Sequence, residues 1–179
     1  MVKLMDLIEN KNLGHKYDYG CVYLSFRIPE IFKIQDSIDP NDLYEEPGDN
    51  YGLETKQHIT LLYGFHKEIK VAQIEKIIDK FHANFSVSLK NLSLFKNDRY
   101  EVLKFDAVED TLNQMNRELS KLSHTTDFPI YRPHLTLAYL KPKTGQKYVN
   151  KFKGLNFNEQ PTGCYYSESS GKITNIFLV

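Results

Sequence analysis

Several residue types that mark particular protein classes are scarce in this 179-residue chain. It contains two cysteines, Cys21 and Cys164, too few for a disulfide framework in a chain of this length, and we expect both to be buried thiols in strands. No stretch approaches the ~20 apolar residues that cross a bilayer. The first ten residues include two carboxylates and no long apolar run, so we predict a cytoplasmic protein without a membrane partner.

The chain also has no excess of charge of either sign, with 23 basic and 23 acidic side chains. A protein that coats long nucleic acid normally carries a basic excess that neutralises phosphates, so this balance favours a small nucleotide or an RNA end as ligand. Tryptophan is absent, so any aromatic platform for a base must be tyrosine or phenylalanine. The length suits one domain, residues 1–179, or two small lobes that share a core.

The most informative feature present is a repeated heptapeptide. Residues 57–63 read QHITLLY and residues 133–139 read PHLTLAY. His58 and Thr60 recur as His134 and Thr136, both 76 residues later. Chance rarely restores histidine, threonine and the surrounding apolar pattern together, so we interpret the two segments as copies of one unit.

Each copy has the composition of a strand, in which residues two apart share a face. His58 and Thr60 therefore present an imidazole and a hydroxyl side by side, and the second copy does the same. A histidine can give or take a proton near neutral pH, and a hydroxyl can donate to an anionic oxygen. Two such pairs across a groove would hold a phosphate between two proton-transfer groups.

The histidines have two other interpretations, a structural role and a zinc site. A lone histidine on a strand face is more often a hydrogen-bonded structural residue than a catalyst, but the repetition favours function. A zinc site fits poorly, because the third position of each motif is threonine and neither motif contains a carboxylate. We therefore predict catalytic roles for all four residues, with no metal and no cofactor.

With these motifs the chain resembles the 2H phosphoesterases, a superfamily named for two histidine-x-threonine motifs on pseudo-symmetric lobes. Residues 51–66, together with residues 38–40 and 42–44, are similar to phage proteins labelled 2′-5′ RNA ligase-like. Some members of that group cleave the cyclic oligonucleotides that bacteria use as antiviral alarm signals, an activity called anti-CBASS. The resemblance implies an α+β fold with two lobes of antiparallel sheet, outer helices and a central groove.

The resemblance also implies an activity. We expect a hydrolase that cleaves 3′-5′ linkages of a small cyclic nucleotide in the host cytoplasm, one histidine acting as base and the other as acid. The attacking group could be water or a ribose 2′-hydroxyl. Two alternatives remain open: an enzyme acting on RNA ends as a 2′,3′-cyclic phosphodiesterase or 2′-5′ ligase, and a protein that binds nucleotides without cleaving them. The oligomeric state is left open.

The residues that bind the substrate are less clearly marked in the sequence than the catalytic ones. The resemblance implies aromatic base contacts near the first strand and in the C-terminal part, and the tyrosines and one arginine that could serve are Tyr17, Tyr19, Tyr23, Tyr165, Tyr166 and Arg132. Tyr165 and Tyr166 adjoin on a strand, so one faces each side of the sheet. Arg132 could reach a phosphate or form a surface ion pair. The lysine-rich segment 141–153 could be a positive rim or a solubilising helix face.

Hydrophobic periodicity predicts the other elements. Strands are expected at 17–28, 85–95, 100–108, 162–167 and 174–179, and helices at 3–10, 30–38, 71–81 and 112–122. The acidic segment 36–49 is predicted to be a loop, either a solvated spacer or a lid over the groove.

Overall fold

The computed structural model describes residues 19–46, 51–81, 84–128 and 130–177. In these ranges the strands are β1 (Gly20–Ser25), β2 (His58–Phe65), β3 (Val87–Lys96), β4 (Glu101–Val108), β5 (His134–Leu140), β6 (Phe157–Glu159), β7 (Gly163–Ser167) and β8 (Ile173–Phe177). The helices are α1 (Pro29–Asp36), α2 (Val71–Ile78), α3 (Asp110–Leu119) and α4 (Gln146–Lys151), with a 3₁₀ turn at Pro40–Asp42.

The strands form two antiparallel four-stranded sheets. The first has the order β2-β1-β7-β8 and the second the order β5-β4-β3-β6. Each sheet therefore ends on a strand that carries one of the repeated motifs, and β2 and β5 contact each other. The predicted α+β class with two antiparallel sheets and helices is confirmed.

Most predicted elements are present with shifted ends, and one was missed. β6 has three residues and no alternating pattern, so it forms only because it pairs with Val87–Leu89 at the start of β3. The predicted N-terminal helix at 3–10 and Tyr17 lie outside the described residues. Within the described ranges no helix has the length and apolar character needed to span a membrane.

One continuous apolar core supports both motif strands. The side chains of Ile59 and Leu61 on β2, and of Leu135 and Leu137 on β5, are fully buried in it, on the side opposite the groove. Helices α1, α2 and α3 each add an apolar stripe to the same core. Burial on one face leaves the other face of each strand free to carry polar chemistry, since alternate side chains point in opposite directions.

The described part of the acidic segment, residues 36–46, is mainly a loop after the end of α1, as predicted, and Leu43 and Tyr44 pair with the outer edge of β5. Tyr44 donates its backbone N–H to the Tyr139 carbonyl at 2.9 Å, and the segment returns beyond the undescribed residues 47–50, where Tyr139 donates to the Gly52 carbonyl at 2.8 Å. An edge strand has unpaired backbone groups that need partners. The segment supplies them to β5.

Two lysines of the lysine-rich segment 141–153 contact the acidic segment and hold it against β5. Lys147 on α4 pairs with Asp42 at 2.5 Å, and the Lys141 ammonium donates to the Asn41 carbonyl at 2.7 Å. The hydroxyl of Tyr148 also donates to Asp42. Lys141 and Lys147 therefore bind the acidic segment. Of the predicted positive rim, only Lys143, Lys151 and Lys153 remain as candidates.

Candidate active site

The two repeated histidines occupy equivalent places, each at the first residue of its edge strand. His58 begins β2 and His134 begins β5. The charge on His134 is one of the factors that lower the pKa of His58, so the two rings lie close enough to interact electrostatically. The contact between the two edge strands thus brings together two histidines that are 76 residues apart in the chain.

Each imidazole is held by the backbone two residues before it. His58 Nδ1 lies 2.7 Å from the Lys56 carbonyl oxygen, and His134 Nδ1 lies 2.7 Å from the Arg132 carbonyl oxygen. A carbonyl can only accept, so Nδ1 carries the hydrogen and donates it. The neutral ring then has its lone pair on Nε2, which is the tautomer a proton-transfer group needs.

Each motif contains a β-bulge directly after its threonine. On β2, Thr60 pairs with Tyr23 and Leu62 with Val22, so Leu61 is the extra residue. A bulge shifts the alternation of the strand by one residue. It brings Tyr63 to the groove face, where it packs with Cys21 and Tyr23.

The second motif repeats this geometry at the matching position. Thr136 pairs with Lys104 and Ala138 with Leu103, so Leu137 is extra, and Tyr139 packs beside Val102 on the groove face. Simple alternation would place both motif tyrosines on the core side, and the bulges move them to the groove face.

The carbonyl of each bulged leucine accepts a hydrogen bond from a helix amide. Asn116 of α3 donates from Nδ2 to the Leu61 carbonyl at 2.7 Å, and Gln35 of α1 donates from Nε2 to the Leu137 carbonyl at 2.8 Å. A bulge removes its carbonyl from the regular ladder, and a buried carbonyl without a partner is costly. The Leu137 carbonyl also accepts the Glu54 backbone N–H at 2.8 Å, so the two bulges are not satisfied in the same way. Neither amide was singled out from the sequence.

The surroundings of His58 are aromatic. Its ring packs edge-on against Tyr23 at 5.9 Å between centroids, and Tyr23 stacks on Tyr165 at 5.5 Å and 18°. A cavity of about 330 Å³ opens beside them, with Phe32 and Lys56 also in its lining. Phe32 is 45% exposed, which is high for a phenylalanine.

The predicted substrate-binding tyrosines thus separate. Tyr23 and Tyr165 line this cavity, whereas Tyr19 lies at the far end of β1, next to Tyr63 and His66. Tyr166 faces the core, is 1% exposed and packs against Phe65, so the expectation that it contacts a base is corrected by its burial. The prediction that Tyr165 and Tyr166 face opposite sides of the sheet agrees with this.

The surroundings of His134 are charged. Its ring packs edge-on against Phe95 at 4.9 Å between centroids. Lys104 pairs with Thr136 across β4 and β5, and Asp106 pairs with His134. The Lys104 ammonium contacts the Asp106 carboxylate and lies 4.3 Å from the centre of the Phe95 ring.

Both imidazoles resist protonation. Burial lowers the pKa of His58 to about 4, and the backbone hydrogen bond from its ring opposes this only in part. Burial also lowers the pKa of His134, where Lys104 acts in the same direction and Asp106 in the opposite one. Both rings are therefore neutral at pH 7 in the protein without ligand.

The remaining polar candidates lie around this groove or outside it. Arg132 is exposed next to His134, and its backbone carbonyl is the group that holds the imidazole. His66 follows β2 and contacts Thr125 Oγ1 at 2.8 Å. Among the residues whose placement is described, no three His, Cys, Asp or Glu side chains are arranged to hold a metal ion.

A family model described as the 2′-5′ RNA ligase superfamily matches residues 34–160, which include both motifs. The chain belongs to this superfamily. Its members are the 2H phosphoesterases, which act on phosphodiester bonds, so the predicted enzyme class is confirmed. No curated protein matches the chain in sequence.

Two solved structures resemble the chain at low sequence identity. Usb1 from Kluyveromyces marxianus is 12% identical, with a TM-score of 0.61 over 91% of this chain and 99% of that one. LigT from E. coli in its apo form is 14% identical, with a TM-score of 0.47 over 88% and 94%. At these identities, the likeness to Usb1 shows a shared fold.

Proposed function

We propose that this 2H phosphoesterase cleaves a 3′-5′ phosphodiester bond in a small cyclic nucleotide by acid–base catalysis between its two histidines. The observation that carries the proposal is the paired geometry: each imidazole is held through Nδ1 by a backbone carbonyl, which leaves Nε2 for proton transfer, and each is followed two residues later by a threonine. Proton transfer on opposite sides of one phosphorus atom suits in-line displacement.

The different surroundings support different roles. His58 has aromatic neighbours and a pKa of about 4, so at pH 7 it is in the unprotonated form that a base requires. His134 lies opposite Asp106, whose carboxylate favours the protonated ring that an acid requires. His58 would then take the proton of the attacking hydroxyl, and His134 would protonate the departing O5′ while Thr60 and Thr136 donate to the non-bridging oxygens.

A small substrate is supported by charge and by size. The formal net charge is zero, and the cavity beside His58, at about 330 Å³, is near the lower end of ligand pockets and suits one nucleoside. Tyr165 can stack on a base there. The resemblance to phage proteins that degrade antiviral signals supports cyclic di- or oligonucleotides as this substrate, with an anti-CBASS role in the host cytoplasm.

The test is mass spectrometry of products from a panel of cyclic dinucleotides and trinucleotides, with and without EDTA. Attack by a ribose 2′-hydroxyl breaks the P–O5′ bond and gives a linear product with a 2′,3′-cyclic phosphate, equal in mass to the substrate but separable by chromatography. Attack by water adds one water. We expect one of these products and equal rates with EDTA; a strict requirement for a divalent ion would contradict the mechanism.

The family name favours a second candidate, action on RNA ends. An oligonucleotide ending in a 2′,3′-cyclic phosphate, and a pair of ends suitable for 2′-5′ joining, belong in the same panel. Faster turnover of these than of every cyclic oligonucleotide would establish the alternative substrate with the same four residues. Intact ligand after long incubation would instead indicate a binding protein.

A further inference from the structure

One charged pair on the groove floor has no equivalent in the other half of the site. In the strand next to each motif, Lys104 occupies the position opposite Thr136, and Tyr23 occupies the position opposite Thr60. In the same way Asp106 lies opposite His134 where Ser25 lies opposite His58. The backbone is duplicated, but at these two positions of the neighbouring strand only the His134 half has a cation and an anion.

The Lys104 ammonium lies next to the place where we expect the phosphate of the substrate. Its side chain is 6% exposed, and its neighbours on the groove face are Thr136, the Phe95 ring and Asp106. Removing an ammonium from water is costly, and one carboxylate that is itself 40% exposed compensates only part of that cost. A phosphate between Thr136 and His134 would add a second anionic partner.

A buried hydroxyl next to Lys104 also supports an anion site. Ser93 pairs with Lys104 across β3 and β4, and its Oγ is buried with no hydrogen-bond partner in the described part of the chain. A buried hydroxyl without a partner is unusual in a finished structure. Lys90, opposite Asp106 on β3, is exposed and adds positive charge at the rim.

We propose that Lys104 is a phosphate-binding residue of the groove, held by Asp106 until the phosphate of the substrate takes its place. This inference rests on the proposed function and specifies its anion site. The ammonium leaves the carboxylate and contacts a non-bridging oxygen on the His134 side. The released Asp106 carboxylate then faces His134 with its full charge.

Binding of inorganic phosphate, measured by ³¹P NMR titration at low ionic strength, tests this without any turnover. Lys104→Met keeps the length of the side chain and its packing on Phe95 but removes the charge, so affinity should fall ~10-fold or more, the scale of a lost charged hydrogen bond. Lys104→Arg should retain most of the affinity. Asp106→Asn removes the anion that competes with phosphate for the Lys104 ammonium, so phosphate affinity should rise several-fold.

Opposite effects of the two substitutions distinguish this role from a structural ion pair, because breaking a structural pair from either side causes similar damage. Lys80→Met, which removes an exposed lysine paired with Glu118 at 3.4 Å, is the matched control and should leave phosphate affinity unchanged. Equal affinities of wild type and Lys104→Met, weaker binding by Asp106→Asn, or no binding by wild type would overturn the proposal. Turnover retained by a His58 variant would contradict the proposed function and leave this result intact.

Discussion

The His58 half and the His134 half of the groove have the same backbone and different neighbours. In both, the imidazole begins an edge strand, Nδ1 donates to a carbonyl two residues earlier, and a bulge follows the threonine. Around His58 the side chains are tyrosines beside a cavity, and around His134 they are a lysine, a carboxylate and a phenylalanine. The duplicated part positions the reacting groups, and the parts that differ give each group its own electrostatics.

The largest effect expected is loss of either imidazole. His58→Ala and His134→Ala should each lower kcat by ~10²-fold or more on the cleaved substrate, the scale of a missing general acid or base. Combining them should cost little more than one alone, since the two act in one step. His124→Ala is the control, because that ring contacts only a local backbone carbonyl at 2.8 Å in the described structure. Full turnover by both single variants would end the two-histidine mechanism.

The aromatic half should govern substrate affinity. Tyr165→Ala removes a ring that stacks on Tyr23 and lines the cavity, so KM should rise by ~5- to 100-fold, as expected for one lost base–aromatic stack. The rate constant kcat should change much less. Phe128→Ala removes a ring that is 54% exposed but absent from the cavity lining, and KM should stay as in wild type. An unchanged KM for Tyr165→Ala would remove this cavity from the substrate site.

The shared backbone can be tested through its amide partners. Asn116→Leu leaves the buried Leu61 carbonyl without its donor, so we expect unfolding to become easier by ~1–3 kcal/mol and kcat to fall about 10-fold as the motif relaxes. Gln35→Leu should have a smaller effect, because the Leu137 carbonyl also accepts the Glu54 backbone N–H at 2.8 Å. Asn113→Leu changes an exposed amide on the same helix and should affect neither quantity. Normal kcat in both amide variants would show that the bulges hold without them.

The smallest expected effect is in the pH dependence. His58, the proposed base, is neutral down to about pH 4, and His134, the proposed acid, has a pKa below its usual 6.5, so kcat/KM of the free enzyme should be greatest below pH 6.5 and decline above it. Asp106→Asn removes the charge that favours protonated His134, so the declining limb should move to lower pH. A limb that moves to higher pH would contradict the acid role of His134.

Much of this site could be predicted from the sequence, because a repeated histidine-x-threonine pattern on a strand fixes which side chains share a face. His58, Thr60, His134 and Thr136 follow from that rule alone. The rule does not extend to Tyr63 and Tyr139, since a bulge changes the alternation and has no signature in seven residues. Nor does it predict contacts between loops and strands, such as the pairing of Leu43 and Tyr44 with the edge of β5.

The sequence by itself determined the groups that the proposed chemistry uses: two histidines, two threonine hydroxyls, no excess charge and the alternation that separates core from groove. Only the tertiary structure decided which residues surround each histidine. Lys104, Asp106, Tyr23 and Tyr165 become neighbours of the motifs through pairing between strands that are far apart in the chain. Cross-strand register depends on backbone hydrogen bonds and on bulges, and these leave almost no trace in the local pattern of residues.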